Sequence, residues 1–197
     1  MAVDSAPRRR TTFVSRVNPA MFGLWVFIAA EALFFGLLIA AYLYLRVRSE
    51  VWPPPGTPPR DLVGLAVPIF NSFVLFSSGA TMHGAHLAMK RGDTELARGG
   101  IIATMVLGAA FLLGQAFEYI TAGYGLSSGI LGSSFFTLTG FHGAHVLVGL
   151  IFLGMVYIKA GRGVYTAEHH LGVEAAALYW HFVDTVWIFL LTVLYLI

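Results

Sequence analysis

Apolar residues gather along this chain in five long runs rather than alternating. The runs lie near 21–45, 63–89, 100–121, 133–158 and 174–197, and shorter polar, glycine-rich or proline-rich segments part them. Each run reaches the roughly 20 residues that cross a bilayer core about 30 Å thick at about 1.5 Å per helical residue. An isolated span must satisfy its own backbone polar groups, which selects helices. The runs are too long and unbroken for the short alternating strands of a membrane barrel. The pattern therefore predicts an all-α integral membrane protein: residues 1–20 as a tail, and 21–197 as a single membrane domain, a bundle of five transmembrane helices.

The connections differ in kind. "VWPPPGTPPR" (51–60) cannot continue a helix. "KRGDTELARGG" (90–100) is charged and ends in glycines, "AGYGLSSG" (122–129) is small and uncharged, and "KAGRGVYTAEHH" (159–170) carries two basic residues and two histidines. Pro68 falls early in the second run, where a first turn or a mild kink would tolerate it.

Composition agrees with the pattern. Of 197 residues, 57% are hydrophobic and 11% charged, against about 25% charged in soluble domains. The triplet "RRR" (8–10) precedes an apolar stretch, but the first run exceeds the roughly 7–15 residues of a signal sequence and reads as a true span. There is no cysteine, which excludes disulfides, thiolate metal sites and haem attached through Cys-x-x-Cys-His. Phosphate-loop and HExxH signatures are absent. The short basic tail lacks interleaved aromatics, so nucleic acid is not an expected partner.

The formal charge of +2 matters less than its placement. Arg8, Arg9, Arg10, Arg16, Lys90, Arg91, Arg98, Lys159 and Arg162 fall on one side of a five-span chain. Only Arg46, Arg48 and Arg60 fall on the other. Nine against three predicts an inside N-terminus and an outside C-terminus.

Several titratable residues sit where oil is expected. Glu31 lies within the first run among Phe27, Ile28, Phe34 and Phe35, a setting that disfavours a carboxylate. It reads either as a titratable site coupled to lipid, proton or inhibitor, or as a neutral acid bonding a neighbouring helix. A charge at the bilayer centre costs at least about 2.5–3.5 kcal/mol, so such groups face protein or a cavity. "LTGFHGAHVLVGL" (138–150) sets His142 and His145 at i, i+3 on one helix face. Metal or haem ligation, a proton relay and helix-to-helix hydrogen bonding all remain open; the small residues Gly140, Gly143, Ala144 and Gly149 favour close packing and the last reading. His181 and Asp184 repeat the spacing and read first as a buried structural pair. Glu31, the histidine pair and Asp184 should share a central layer. Glu118 should lie near the outer end of the third helix, and His83 and His86 near the inner end of the second. Trp180 suits an interface anchor, and Trp187 a packing role. Lys159 and Arg162 suit lipid phosphates, or serve topology alone.

The blocks themselves resemble a known family. "WVFIAAEALFFG" (25–36), "WPPPG" (52–56), "LLGQAFEY" (112–119), "FFTLTGFHGAHVLVGLIFL" (135–153) and "EHHLGVEAAALYWHFVDTVWIFLLTVLYL" (168–196) occur in order. Together they are similar to subunit III of haem-copper terminal oxidases, the cytochrome c oxidase type above all, in its shorter five-helix form. Longer members have seven helices, the first two forming one arm of a V-shaped, lipid-filled cleft.

The resemblance implies an accessory subunit without haem or copper of its own, those groups belonging to partner subunits. It implies contact with oxidase subunit I, subunit II in the same complex, bound phospholipid, and support of proton uptake. Glu31 matches the family's carbodiimide-reactive carboxyl, and Lys159 and Arg162 occupy its lipid-headgroup loop. The expected location is a bacterial cytoplasmic membrane. Quinol oxidases and nitric-oxide-reductase-associated proteins carry similar subunits. A stand-alone proton transporter finds little support, since no inverted repeat or broken helix pair is evident. A di-haem membrane cytochrome is the remaining alternative.

Overall fold

The computed structural model describes residues 18–52 and 62–196. The arginines at 8, 9, 10, 16 and 60 and the proline stretch 53–61 lie outside the described residues. Among those described, the regular elements are helical: α1 (Pro19–Arg48), α2 (Leu62–Lys90), α3 (Thr94–Thr121), α4 (Gly129–Gly161) and α5 (Leu171–Leu191), the last widening into a π-helical end at Thr192–Leu196. All five are long and apolar enough to cross a membrane.

Local chemistry explains where the helices start and stop. Asn18 caps α1, its Oδ1 accepting from Ala20 N at 3.0 Å, with Pro19 at the first helical position. Between α2 and α3 the chain turns in three residues. Gly92 takes φ +80°, which favours glycine, and its N–H donates to Met89 O at 2.9 Å while Asp93 N donates to Ala88 O at 3.0 Å. Asp93 then caps α3 by accepting from Leu96 N at 3.0 Å. The charged segment 90–100 is thus mostly helix, and α3 begins at Thr94 instead of near residue 100. At Pro68 the helix neither starts nor stops, because α2 runs through it from Leu62.

Helices α2–α5 form the core, with α5 in contact with both α2 and α4 and α3 bridging α2 and α4. Close approach is bought by small residues: a β-carbon on Gly100 would come 2.8 Å from Ala85 Cβ on α2. The hydroxyls of Thr81 and Thr104 join the same two helices at 2.8 Å. Two indoles from α5 tie the core across its full width. Trp180 fills the space left by Gly108 on α3 and Gly149 on α4, and its Nε1 donates to Ser78 Oγ on α2 at 2.9 Å. One heptad on, Trp187 Nε1 donates to Ser72 Oγ at 2.8 Å. Trp180 is completely buried, so the interface-anchor expectation gives way to a packing role. Helix α1 lies outside this core against α4 and α5, and buries only Phe35 and Tyr42.

Candidate functional site

The outlying α1 is fixed to the core by one polar contact at mid-depth. Glu31 stands twelve residues into α1, about 18 Å along its axis. His145 stands sixteen residues from either end of α4. Glu31 Oε2 lies 3.1 Å from His145 Nε2. The other ring nitrogen, Nδ1, lies 2.7 Å from the carbonyl oxygen of Phe141, and the carbonyl of His145 itself accepts from Tyr179 Oη on α5 at 3.1 Å. Phe35 meets the imidazole edge-on at 5.0 Å, and Phe34 meets Phe141 at 5.0 Å. Glu31 therefore joins α1 to α4, and the His145 carbonyl ties the same point to α5.

These partners dictate the proton inventory. A carbonyl can only accept, so Nδ1 carries a proton. Nε2 then faces Glu31 across a contact that needs exactly one proton, held either by the acid or by the imidazole. Neutral acid with neutral ring, and carboxylate with imidazolium, have the same net charge. Either way the pair carries no net charge. Side-chain exposures of 24% for Glu31 and 17% for His145 leave it partly open.

His142 behaves differently from its neighbour, and the shared-face expectation is corrected here. Its ring stacks on Trp187 at 5.0 Å and meets the edge of Phe111 at 5.7 Å. It is fully buried, and neither nitrogen has a hydrogen-bond partner among the described residues. It is a stacking group between α3, α4 and α5, not a hydrogen-bonding joint. The i, i+3 offset turned the two rings toward different helices.

Asp184 sits at mid-depth, thirteen residues into α5, but faces α2 rather than Glu31. Its Oδ2 occupies the space where Gly79 lacks a side chain, and lies 3.8 Å from His181 Nδ1. That is an ion-pair separation, longer than a hydrogen bond. The expected buried pair is only half buried, since the His181 side chain is 42% exposed. Glu118 accepts from Tyr195 Oη at 3.1 Å, holding the end of α3 to the π-helical end of α5. Lys159 and Arg162 are exposed at the C-terminal end of α4, where cations suit the helix dipole. His86 and His170 approach to 5.9 Å near the same end. Among the described residues no group of three or more histidines, aspartates or glutamates could hold a metal ion.

Sequence reasoning missed Tyr179, Ser72, Ser78 and Tyr195 as the partners of these groups. The seven-residue spacing of Trp180 and Trp187 was the available signal for the two serines, since it sets both indoles on the α2 side of α5.

A family model described as "Cytochrome c oxidase subunit III" matches residues 9–197. Cytochrome c oxidase subunit 3 of Thermostichus vulcanus is 45% identical over 176 residues, covering 89% of this chain and 86% of that protein. The Marchantia polymorpha protein of the same name is 41% identical over 189 residues, covering 93% and 70%. That of Bos taurus is 40% identical over 197 residues, covering 95% and 75%.

Proposed function

The chain belongs to the cytochrome c oxidase subunit III family, and from that premise we propose the part it plays in its complex. It is an accessory subunit III of a cytochrome c oxidase, a multi-pass membrane protein assembled with other oxidase subunits. The complex reduces dioxygen to water while protons cross the membrane. In our reading this chain is non-catalytic. Haem and copper reside in partner subunits, and the chain packs directly on subunit I, with subunit II in the same assembly. It works in a bacterial cytoplasmic membrane with its N-terminus inside, binds phospholipid, and supports proton uptake.

One observation carries the non-catalytic reading: the two histidines of α4 turn toward different helices and do not converge on one site. His145 lies between Glu31 and the Phe141 carbonyl. His142 lies between Trp187 and Phe111. The Glu31–His145 pair is the candidate for the proton-related role, as it holds one shared proton in an uncharged unit. The lipid reading draws on the exposed Lys159 and Arg162, whose charges suit phosphates. It also draws on an apolar groove of about 350 Å³ between α1 and α5, lined by Ala32, Gly36, Ile39, Phe182, Val186 and Phe189.

The test uses the intact oxidase. Glu31→Gln should leave its haem spectrum unchanged, and removing the whole subunit should hasten inactivation during turnover. Loss of haem signal in the point variant, or an inactivation rate indifferent to the subunit, would overturn the reading.

A further inference from the structure

The free faces of the bundle are not alike. Along α3, the outward stripe Ile102, Val106, Leu113, Phe117 and Ile120 is wholly apolar, as a lipid-facing surface should be. The neighbouring face, made by α2 and α5, is not. On α5 the outward positions His181, Thr185, Ile188, Phe189 and Thr192 mix polar and apolar side chains. On α2 the outward stripe runs Phe73, Phe76, Ala80, His83, Gly84 and Leu87.

The imidazoles of His83 and His181 meet across this seam at 6.1 Å. His83 makes no hydrogen bond among the described residues and is exposed. His181 approaches Asp184 only to 3.8 Å and is 42% exposed. Asp184 behind them is largely buried, and its Oδ1 has no hydrogen-bond partner among the described residues. The threonines differ, because Thr185 and Thr192 donate to the carbonyls of His181 and Ile188 at 2.8 Å each. So the unmet hydrogen-bonding capacity on this face belongs to the histidine–aspartate cluster. Polar side chains in membrane spans face protein or a cavity. Beside the cluster, Ala80 and Gly84 leave room for a backbone to come close.

We propose that the α2/α5 face is the docking surface for a membrane-spanning helix of another oxidase subunit, one presenting polar side chains that hydrogen-bond His83 and His181, while the α3 face meets lipid. The inference rests on the assembly reading above and adds which face is used and by what chemistry. The half-exposed His181 is the primary contact, Asp184 holds its ring from behind, and His83 widens the polar target. A purely apolar helix would leave both imidazoles unmatched, so the partner helix carries hydroxyl, amide or titratable groups at this depth.

A photoreactive phenylalanine analogue placed at Phe73 or at Phe117 in the intact oxidase tests the assignment with little change of shape. Irradiation should give an adduct with another subunit from position 73 and lipid adducts alone from position 117. Lipid adducts alone from position 73, in an oxidase that retains the chain, would overturn the docking face. A wild-type chain that fails to co-purify with any subunit would instead overturn the assembly reading beneath it. The paired change His83→Leu and His181→Leu keeps the face apolar and helical. Retention in the solubilised complex should fall at least fivefold, with the amount of chain in the membrane unchanged. Full retention would show that hydrogen bonding to the imidazoles does not hold the partner.

Discussion

The indole of Trp180 occupies the space that a side chain at Gly149 would need. A β-carbon there would sit 2.8 Å from Cζ3 and 3.2 Å from Tyr179 Cε1, and on the opposite side one at Gly108 would sit 2.6 Å from Cη2. Trp180 is held between two glycines and pinned by its bond to Ser78, so it cannot step aside. Overpacking of this kind costs about 1–3 kcal/mol. Gly149→Ala and Gly108→Ala should each lower the thermal unfolding midpoint of the detergent-solubilised protein. Gly36→Ala, with nothing within 4 Å of its β-carbon, should not. Equal behaviour of all three would remove Trp180 from its place at the centre of the bundle.

His142 gives the reverse expectation for a polar residue. Its ring contributes shape and stacking, and its nitrogens have no hydrogen-bond partner among the described residues. Replacement by an apolar ring should therefore be cheap, within about 1.5 kcal/mol for His142→Phe. His142→Ala opens a cavity between Trp187 and Phe111 and should cost about 2–4 kcal/mol. Unfolding of both variants, followed by the near-ultraviolet signal of Trp187, separates the two. A Phe variant as damaged as the Ala variant would mean that the nitrogens matter after all.

Asp93 is the one strong cap on α3, and the helix start depends on it. Asp93→Ala should destabilise by about 0.5–2 kcal/mol, and Asp93→Asn by much less, since the amide oxygen can still accept from Leu96 N. Backbone hydrogen exchange at residues 94–97 reads the effect locally. Unchanged protection in the Ala variant would contradict the cap.

That cap also shows how the sequence was legible and where it was not. Hydropathy alone predicts five spans, because the cost of unsatisfied backbone in oil leaves no other solution. It misplaces the start of α3, since Thr94–Gly100 is polar yet helical, and only the Asp93 side chain marks the boundary. Depth was also readable: Glu31 and His145 do lie in one layer, because both count their distance from helix ends. Rotation was not. An i, i+3 pair differs by about 60° around a helix. In a bundle this close-packed, that angle sends His142 toward Trp187 and His145 toward Glu31. Nor does hydropathy separate α1, which buries two residues, from α5, which is buried along most of its length.

The last prediction concerns Glu31 and His145 as a unit. Because the Phe141 carbonyl fixes the Nδ1 proton, the contact between Nε2 and Oε2 requires its single proton whichever group holds it. Glu31→Gln supplies an amide N–H to the same nitrogen, so it should disturb α1 little. Glu31→Ala removes the partner and leaves Nε2 facing oil, at about 1–3 kcal/mol. His145→Ala strands the acid in the same way, while the double variant strands neither. The two single costs should therefore not add, and a double-mutant cycle on the solubilised protein should return a coupling of about 1–3 kcal/mol. Since α1 is otherwise held by little buried surface, proteolysis near its ends should rise in Glu31→Ala and not in Glu31→Gln. Additive single costs, or equal proteolysis of the two Glu31 variants, would show that the proton-sharing contact does not hold α1 to the bundle.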